Sequence, residues 1–154
     1  MRYRLVSVWH LPAPSDEVWP LLWDVDDWPR WWPQMSAAQV VRPAGPDGTG
    51  LRTVLALRSP VGYRLTFGIE TTQVEPPRLA RARVVGQLTG TGTWVLHDVP
   101  DGTRMEITWD VTVRRSWIRA IAPVAAPVFR WAHAAAMRAG ERGLVALMTS
   151  APRG

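Results

Sequence analysis

The chain has 154 residues, no cysteine and a formal net charge of +5, from 18 basic and 13 acidic side chains. That length suits one domain burying roughly two-thirds of its unfolded surface, and the missing cysteine excludes disulfides, thiolate nucleophiles and cysteine metal sites. Every basic residue is arginine, scattered among the acids without forming a phosphate-tracking cluster, so no nucleic-acid partner is expected.

In chain order, residues 3–11 (YRLVSVWHL) predict a strand. Nothing in Met1-Arg2-Tyr3-Arg4 resembles the start of an apolar signal core. Ser15-Asp16-Glu17 predicts a helix start, with Ser15 as cap and two acids in the first turn. Val18 with Leu22 and Trp19 with Trp23 follow at i,i+4 spacing. Asp26-Asp27-Trp28-Pro29-Arg30-Trp31-Trp32-Pro33 then predicts a short helix, opened by Pro29 and closed by Pro33. Five of the ten tryptophans fall between Trp19 and Trp32.

From residue 38 the pattern alternates with period two, punctuated by turn residues at Pro46-Asp47-Gly48, Ser59 to Gly62, Glu75-Pro76-Pro77 and Pro100-Asp101-Gly102. Six strands are predicted, near 38–42, 50–58, 63–74, 79–86, 91–98 and 103–114. In the last, Met105, Ile107, Trp109, Val111 and Val113 face one way, and charged or hydroxyl residues face the other. Tyr63, Leu65, Phe67 and Ile69 form the apolar set of the 63–74 strand. From about 116 to 150 a long helix is predicted, kinked or interrupted at Pro123 and Pro127. Its inward seam reads Ala125, Val128, Phe129, Ala132, Ala136, Ala139, Gly143 and Leu147. A face so small either draws close to its neighbour or leaves unfilled space. The apolar run from Ala120 to Phe129 is far short of a membrane span, so a soluble, cytoplasmic protein without stable membrane insertion is expected.

This order of elements resembles the SRPBCC (START-like, polyketide cyclase/dehydrase) superfamily, and its local motifs resemble a bacterial branch of it. They are Trp28-Pro29-Arg30-Trp31-Trp32-Pro33, Gly90-Thr91-Gly92-Thr93-Trp94, Thr108-Trp109-Asp110-Val111 and the closing run PVFRWAHAAAMRAGERGL over 127–144. The resemblance implies an α+β helix-grip fold. In it a curved, seven-stranded antiparallel sheet wraps a long C-terminal helix, and two short helices follow strand 1. One domain would occupy 1–149, with a short tail at 150–154. An apolar cavity would lie between sheet and helix, near residues 26–35. Where the last motif would carry Asn beside the histidine, this chain has Ala132-His133, which removes a polar group able to orient His133.

The leading functional expectation is therefore a binder of a small hydrophobic molecule: a lipid, polyketide or aromatic metabolite. Its candidate ligand-binding residues are Trp28, Trp31, Trp32, Tyr63, Phe67, Trp94, Trp109, Phe129 and His133. No cofactor and no metal site is implied; the three histidines, His10, His97 and His133, lie on separate elements. One alternative is a cyclase or aromatase using the same cavity, with His133 and Tyr63 as general acid/base candidates. Another is a module that docks a partner protein through an exposed tryptophan patch. Arg81 and Arg83 share a face with Leu79 and would meet an anionic ligand if that face turned inward. The glycines of 86–92 read as turn or bulge positions rather than a phosphate loop, because a strand and not a helix follows them.

Overall fold

The structure, a computed structural model, describes residues 2–59, 62, 64–113 and 122–150, and of 122–126 only the backbone. Tyr63 and the expected helical residues 116–121 lie outside the described residues, as does the side chain of Ala125. Strand β1 (Arg2–Leu11) leads into helix α1 (Ser15–Trp23), a 3₁₀ turn (Val25–Asp27) and helix α2 (Trp28–Trp31). Strands β2 (Met35–Arg42), β3 (Arg52–Arg58), β4 (Arg64–Glu75), β5 (Leu79–Gly86), β6 (Leu88–Val99) and β7 (Gly102–Val113) follow, and helix α3 (Ala122–Ser150) closes the chain. One antiparallel sheet runs in the order β1-β7-β6-β5-β4-β3-β2. Consecutive strands pair as hairpins, and only β1 crosses, to the far side of β7.

The alternation that predicted β7 holds over its length: Thr103, Met105, Ile107, Trp109, Val111 and Val113 are buried. Its outer face is charged. Asp110 accepts both Arg2 Nε and Nη2, and Arg104 pairs with Glu106. Glu70 of β4 receives Arg52 and Arg83 from the strands on either side, which holds its carboxyl below the usual range. Arg81 and Arg83 are thus exposed and turn away from the cavity; Ala82 and Val84 take the inward positions of β5. Of the glycines expected at turn or bulge positions, Gly86 ends β5 at the turn into β6 with φ of 111°. Gly92 lies in β6, within the expected strand, and Gly90 also lies inside it, both in regular register with β5 and β7 and at neither a turn nor a bulge. A Cβ on Gly90 would fall 2.0 Å from the Asp110 carbonyl oxygen, so the strand there admits no side chain.

Ser15 is not the cap of α1 but its first residue. The capping carboxylate comes from β6: Asp98 accepts the Ser15 backbone N–H at 2.9 Å and its hydroxyl at 2.9 Å. Those two bonds hold the Asp98 carboxyl below its ordinary range. The short α2 exists for the reasons its prolines suggest. Pro29 presets the first turn, and the Trp32 N–H closes it on the Trp28 carbonyl at 2.8 Å. Asp26 accepts the Val40 N–H and Asp27 pairs with Arg30, which ties the 3₁₀ turn to β2 and to α2.

Helix α3 runs through Pro127 without interruption. Its inward face carries Phe129, Ala132, Ala136, Ala139, Gly143 and Leu147 as expected, with Met137, Gly140 and Leu144 besides, whereas Val128 points outward. Both answers to the small-residue question occur in this one helix. Its C-terminal half draws in close. A Cβ on Gly143 would lie 1.7 Å from the Trp31 carbonyl oxygen, and one on Gly140 would lie 2.6 Å from the Trp32 ring. Its N-terminal half, around Phe129 to Ala136, stands off the sheet and leaves space.

Candidate functional site

Trp28, Trp31 and Trp32 are all buried within the single chain, at 5–6 % exposure. There is accordingly no exposed tryptophan patch at this segment, and the partner-docking reading through these residues is corrected. The three indoles do different work. Trp31 faces neither cavity described below, contrary to its place among the candidate ligand contacts. It fills the core, stacked on Trp32 at 5.5 Å and edge-on to Trp9 at 6.3 Å. Trp32 is seated over Gly140 and donates its indole N–H to the Ala136 carbonyl of α3 at 2.9 Å. Trp28 donates to the Leu22 carbonyl at 3.0 Å, which fixes its plane. Each bond satisfies a donor that would cost about 1–3 kcal/mol if buried alone.

Beyond these two rings opens a cavity of about 90 Å³ between the concave sheet and the N-terminal half of α3. Trp28 and Trp32 line it, together with Phe67, Trp94, Trp109, Phe129 and His133. Trp109 is wedged edge-on between Phe67, at 5.9 Å, and Trp94, at 5.2 Å, so three strands contribute one aromatic wall. Leu5, Met35, Leu55 and Met137 also line it, and none was singled out from the sequence. Their strand or helix periodicity marks them as inward, but periodicity does not separate a filled interior from a hollow one. Arg58 and Ser59 line the cavity where β3 ends, next to the residues outside the description.

A second cavity, of about 60 Å³, lies on the other side of Trp28 and Trp94, and these two indoles line both. Its remaining walls are Trp19 and Trp23, stacked at 5.9 Å as their i,i+4 spacing predicts, with Val25, Thr53, Ile69 and Leu96 among others.

Polar chemistry in this interior is sparse. Among the described residues, six buried polar side-chain atoms have no hydrogen-bond partner. Tyr3 Oη, Trp9 Nε1, Trp31 Nε1 and Gln34 Oε1 belong to residues lining neither cavity. The other two divide evenly: His133 Nε2 in the larger cavity and Thr53 Oγ1 in the smaller. Burial lowers the His133 pKa from 6.5 to about 4, because the apolar wall penalises the charged ring. The imidazole is neutral at physiological pH, able to exchange a hydrogen bond but holding no acidic proton to give. His97 is half-exposed, 3.9 Å from Glu106 on the outer face, and His10 is exposed with its backbone N–H on Glu141. No group of residues able to hold a metal ion occurs among the described residues.

A curved antiparallel sheet gripping one long helix, with an aromatic cavity between them, defines the helix-grip class of START-like proteins. The chain belongs to the family of polyketide cyclases/dehydrases and lipid transport proteins, whose sequence profile matches residues 3–149. Solved structures of the same fold include the Zhui aromatase/cyclase from Streptomyces sp. R1128, with TM-score 0.79 and 15% identity over 97% of this chain and 94% of that one. A START superfamily protein from Mycobacterium smegmatis aligns with TM-score 0.72 and 13% identity, over 96% and 97% of the two chains. The TTHA0849 protein from Thermus thermophilus aligns with TM-score 0.73 and 17% identity, over 98% and 100%. At such identities these likenesses establish the fold alone. No curated protein matches the chain. Among the described residues no helix is long and apolar enough to cross a membrane.

Proposed function

We propose that this protein binds a small, mostly apolar molecule in the cavity between the sheet and α3. The observation that carries the reading is the cavity's lining: a near-continuous aromatic and aliphatic wall containing one unpartnered, neutral imidazole. Such a site gains affinity from apolar burial, at about 25 cal/mol per Å² removed from water, and takes its orientation from a single hydrogen bond. Trp28, Trp32, Phe67, Trp94, Trp109 and Phe129 supply the wall, and His133 the polar contact. Tyr63 keeps its place among the candidate ligand contacts on sequence grounds only. Native mass spectrometry of the gently purified chain tests the reading. A population carrying an extra apolar small-molecule mass, lost on organic extraction, is expected. An apo-only spectrum, together with no binding from a panel of lipids, polyketides and aromatic acids, contradicts it.

Enzymatic cyclisation or dehydration in the same cavity is favoured by one observation, the free Nε2 of His133. A ring with a pKa of about 4 is a weak base and no acid at neutral pH, so its role in turnover would be to accept or to orient a proton. Turnover of a poly-β-ketone abolished in His133→Gln, with ligand affinity retained, would separate this version from simple binding.

A further inference from the structure

Four serine or threonine side chains are buried among the described residues, and three have their hydroxyls satisfied. Ser15 bonds Asp98, Thr103 donates to the Ala13 carbonyl, and Thr71 donates to the Gly48 carbonyl while accepting the Leu51 N–H. Thr53 is the exception. It has no exposed surface, its Oγ1 has no partner, and it lines the smaller cavity from the inward face of β3. A valine would fill the same shape without stranding a hydroxyl, which costs about 1–3 kcal/mol. The Tyr3 hydroxyl also lacks a partner but lines neither cavity, whereas Thr53 borders open space.

We propose that the smaller cavity is a second ligand subsite, with Thr53 its hydrogen-bonding residue and Trp94 the partition between it and the larger one. The inference rests on the proposed binding function and narrows the ligand to an elongated, mostly apolar molecule with a neutral hydroxyl or carbonyl at each end. One end meets His133 and the other Thr53. Trp28 is pinned by its bond to the Leu22 carbonyl, whereas the Trp94 indole makes no hydrogen bond among the described residues. Trp94 is held by the edge of Trp109 and by lying over Gly92, where a Cβ would come within 3.0 Å of it. Trp94 is therefore the ring that yields when one molecule spans both cavities.

Three probes test this with the full chain by calorimetric titration: phenol, β-naphthol, and the naphthalenediol with hydroxyls on opposite rings. The diol is expected to bind about fivefold tighter than β-naphthol, the increment of one neutral hydrogen bond. Thr53→Val should remove that preference and leave phenol binding unchanged, and Thr53→Ser should restore it. Equal affinity of diol and β-naphthol in the wild type, or a preference that survives Thr53→Val, overturns the second subsite while phenol binding still supports the first. No binding of any probe overturns both. Should Thr53→Val fail to fold, isotope-filtered NMR on the wild type decides. Contacts from bound diol to both the Thr53 methyl and the His133 ring are expected, and contacts confined to the His133 side overturn the proposal.

Discussion

Replacing Gly143 by alanine sets two physical effects against each other. In an exposed helix the change would stabilise by about 1 kcal/mol, because alanine loses less backbone freedom and shields the helix. Here the new Cβ would lie 1.7 Å from the Trp31 carbonyl oxygen, a backbone atom fixed by the short turn of α2. An ordinary contact requires roughly twice that distance, so α3 and α2 must separate by more than an ångström. That separation loosens Trp9, Trp31 and Trp32 together and strains the Trp32 bond to the Ala136 carbonyl. Overpacking of this kind costs about 3 kcal/mol, at the upper end of its usual range. The net loss is about 2 kcal/mol, or a fall of roughly 4–8 °C in Tm for a domain of this size. Thermal unfolding followed by circular dichroism measures it. A Tm equal to or above that of the wild type would refute the close approach of α3 to the tryptophan turn.

Other outcomes follow from the same geometry. The folded His133 pKa lies below 6.5, so both states are neutral above that pH and the stability is full there. As the pH falls towards about 4, the unfolded chain takes a proton that the folded chain refuses, and stability drops by up to about 3 kcal/mol. Urea unfolding of His133→Phe should show a shallower decline over that window, and an identical slope would contradict the burial of a neutral ring. Trp32→Phe should lower stability by about 1 kcal/mol beyond its lost area, since it removes the bond to the Ala136 carbonyl. Trp9→Phe removes an N–H with no partner and should show no such excess in the same melts. Gly92→Ala should displace the Trp94 ring by a few tenths of an ångström and weaken apolar ligand binding a few-fold with little change in Tm, as read by calorimetry.

The strands and their faces were readable from the sequence because alternation and turn chemistry act locally, as β4 and β7 show. Trp28-Pro29-Arg30-Trp31-Trp32-Pro33 declared its own helical turn through the proline positions. What each indole does was not readable, since it depends on partners far along the chain. Trp31 fills the core because Gly143 admits its carbonyl, and Trp32 lines a cavity because Gly140 seats its ring. The capping of α1 by Asp98 involves residues 83 positions apart, which no local signal announces. Nothing in the sequence sets Thr53 apart from other β-branched strand residues; its buried, unpartnered hydroxyl beside the smaller cavity does. Period-two counting puts Arg81 and Arg83 on one face of β5 and Ala82 and Val84 on the other, but which face turns inward is decided by the pairing of β5 between β4 and β6, which counting along one strand does not supply.

The central claim is that the space beside Ala136 and His133 admits an apolar ligand, and fluorine NMR with para-fluorophenol tests it most directly. Ala136 lines the larger cavity, so Ala136→Leu fills part of the 90 Å³ from the helix side. Saturable one-to-one binding to the wild type is expected, with binding lost in a folded Ala136→Leu chain. Absence of saturable binding to the wild type, or unchanged affinity in the filled variant, would contradict it.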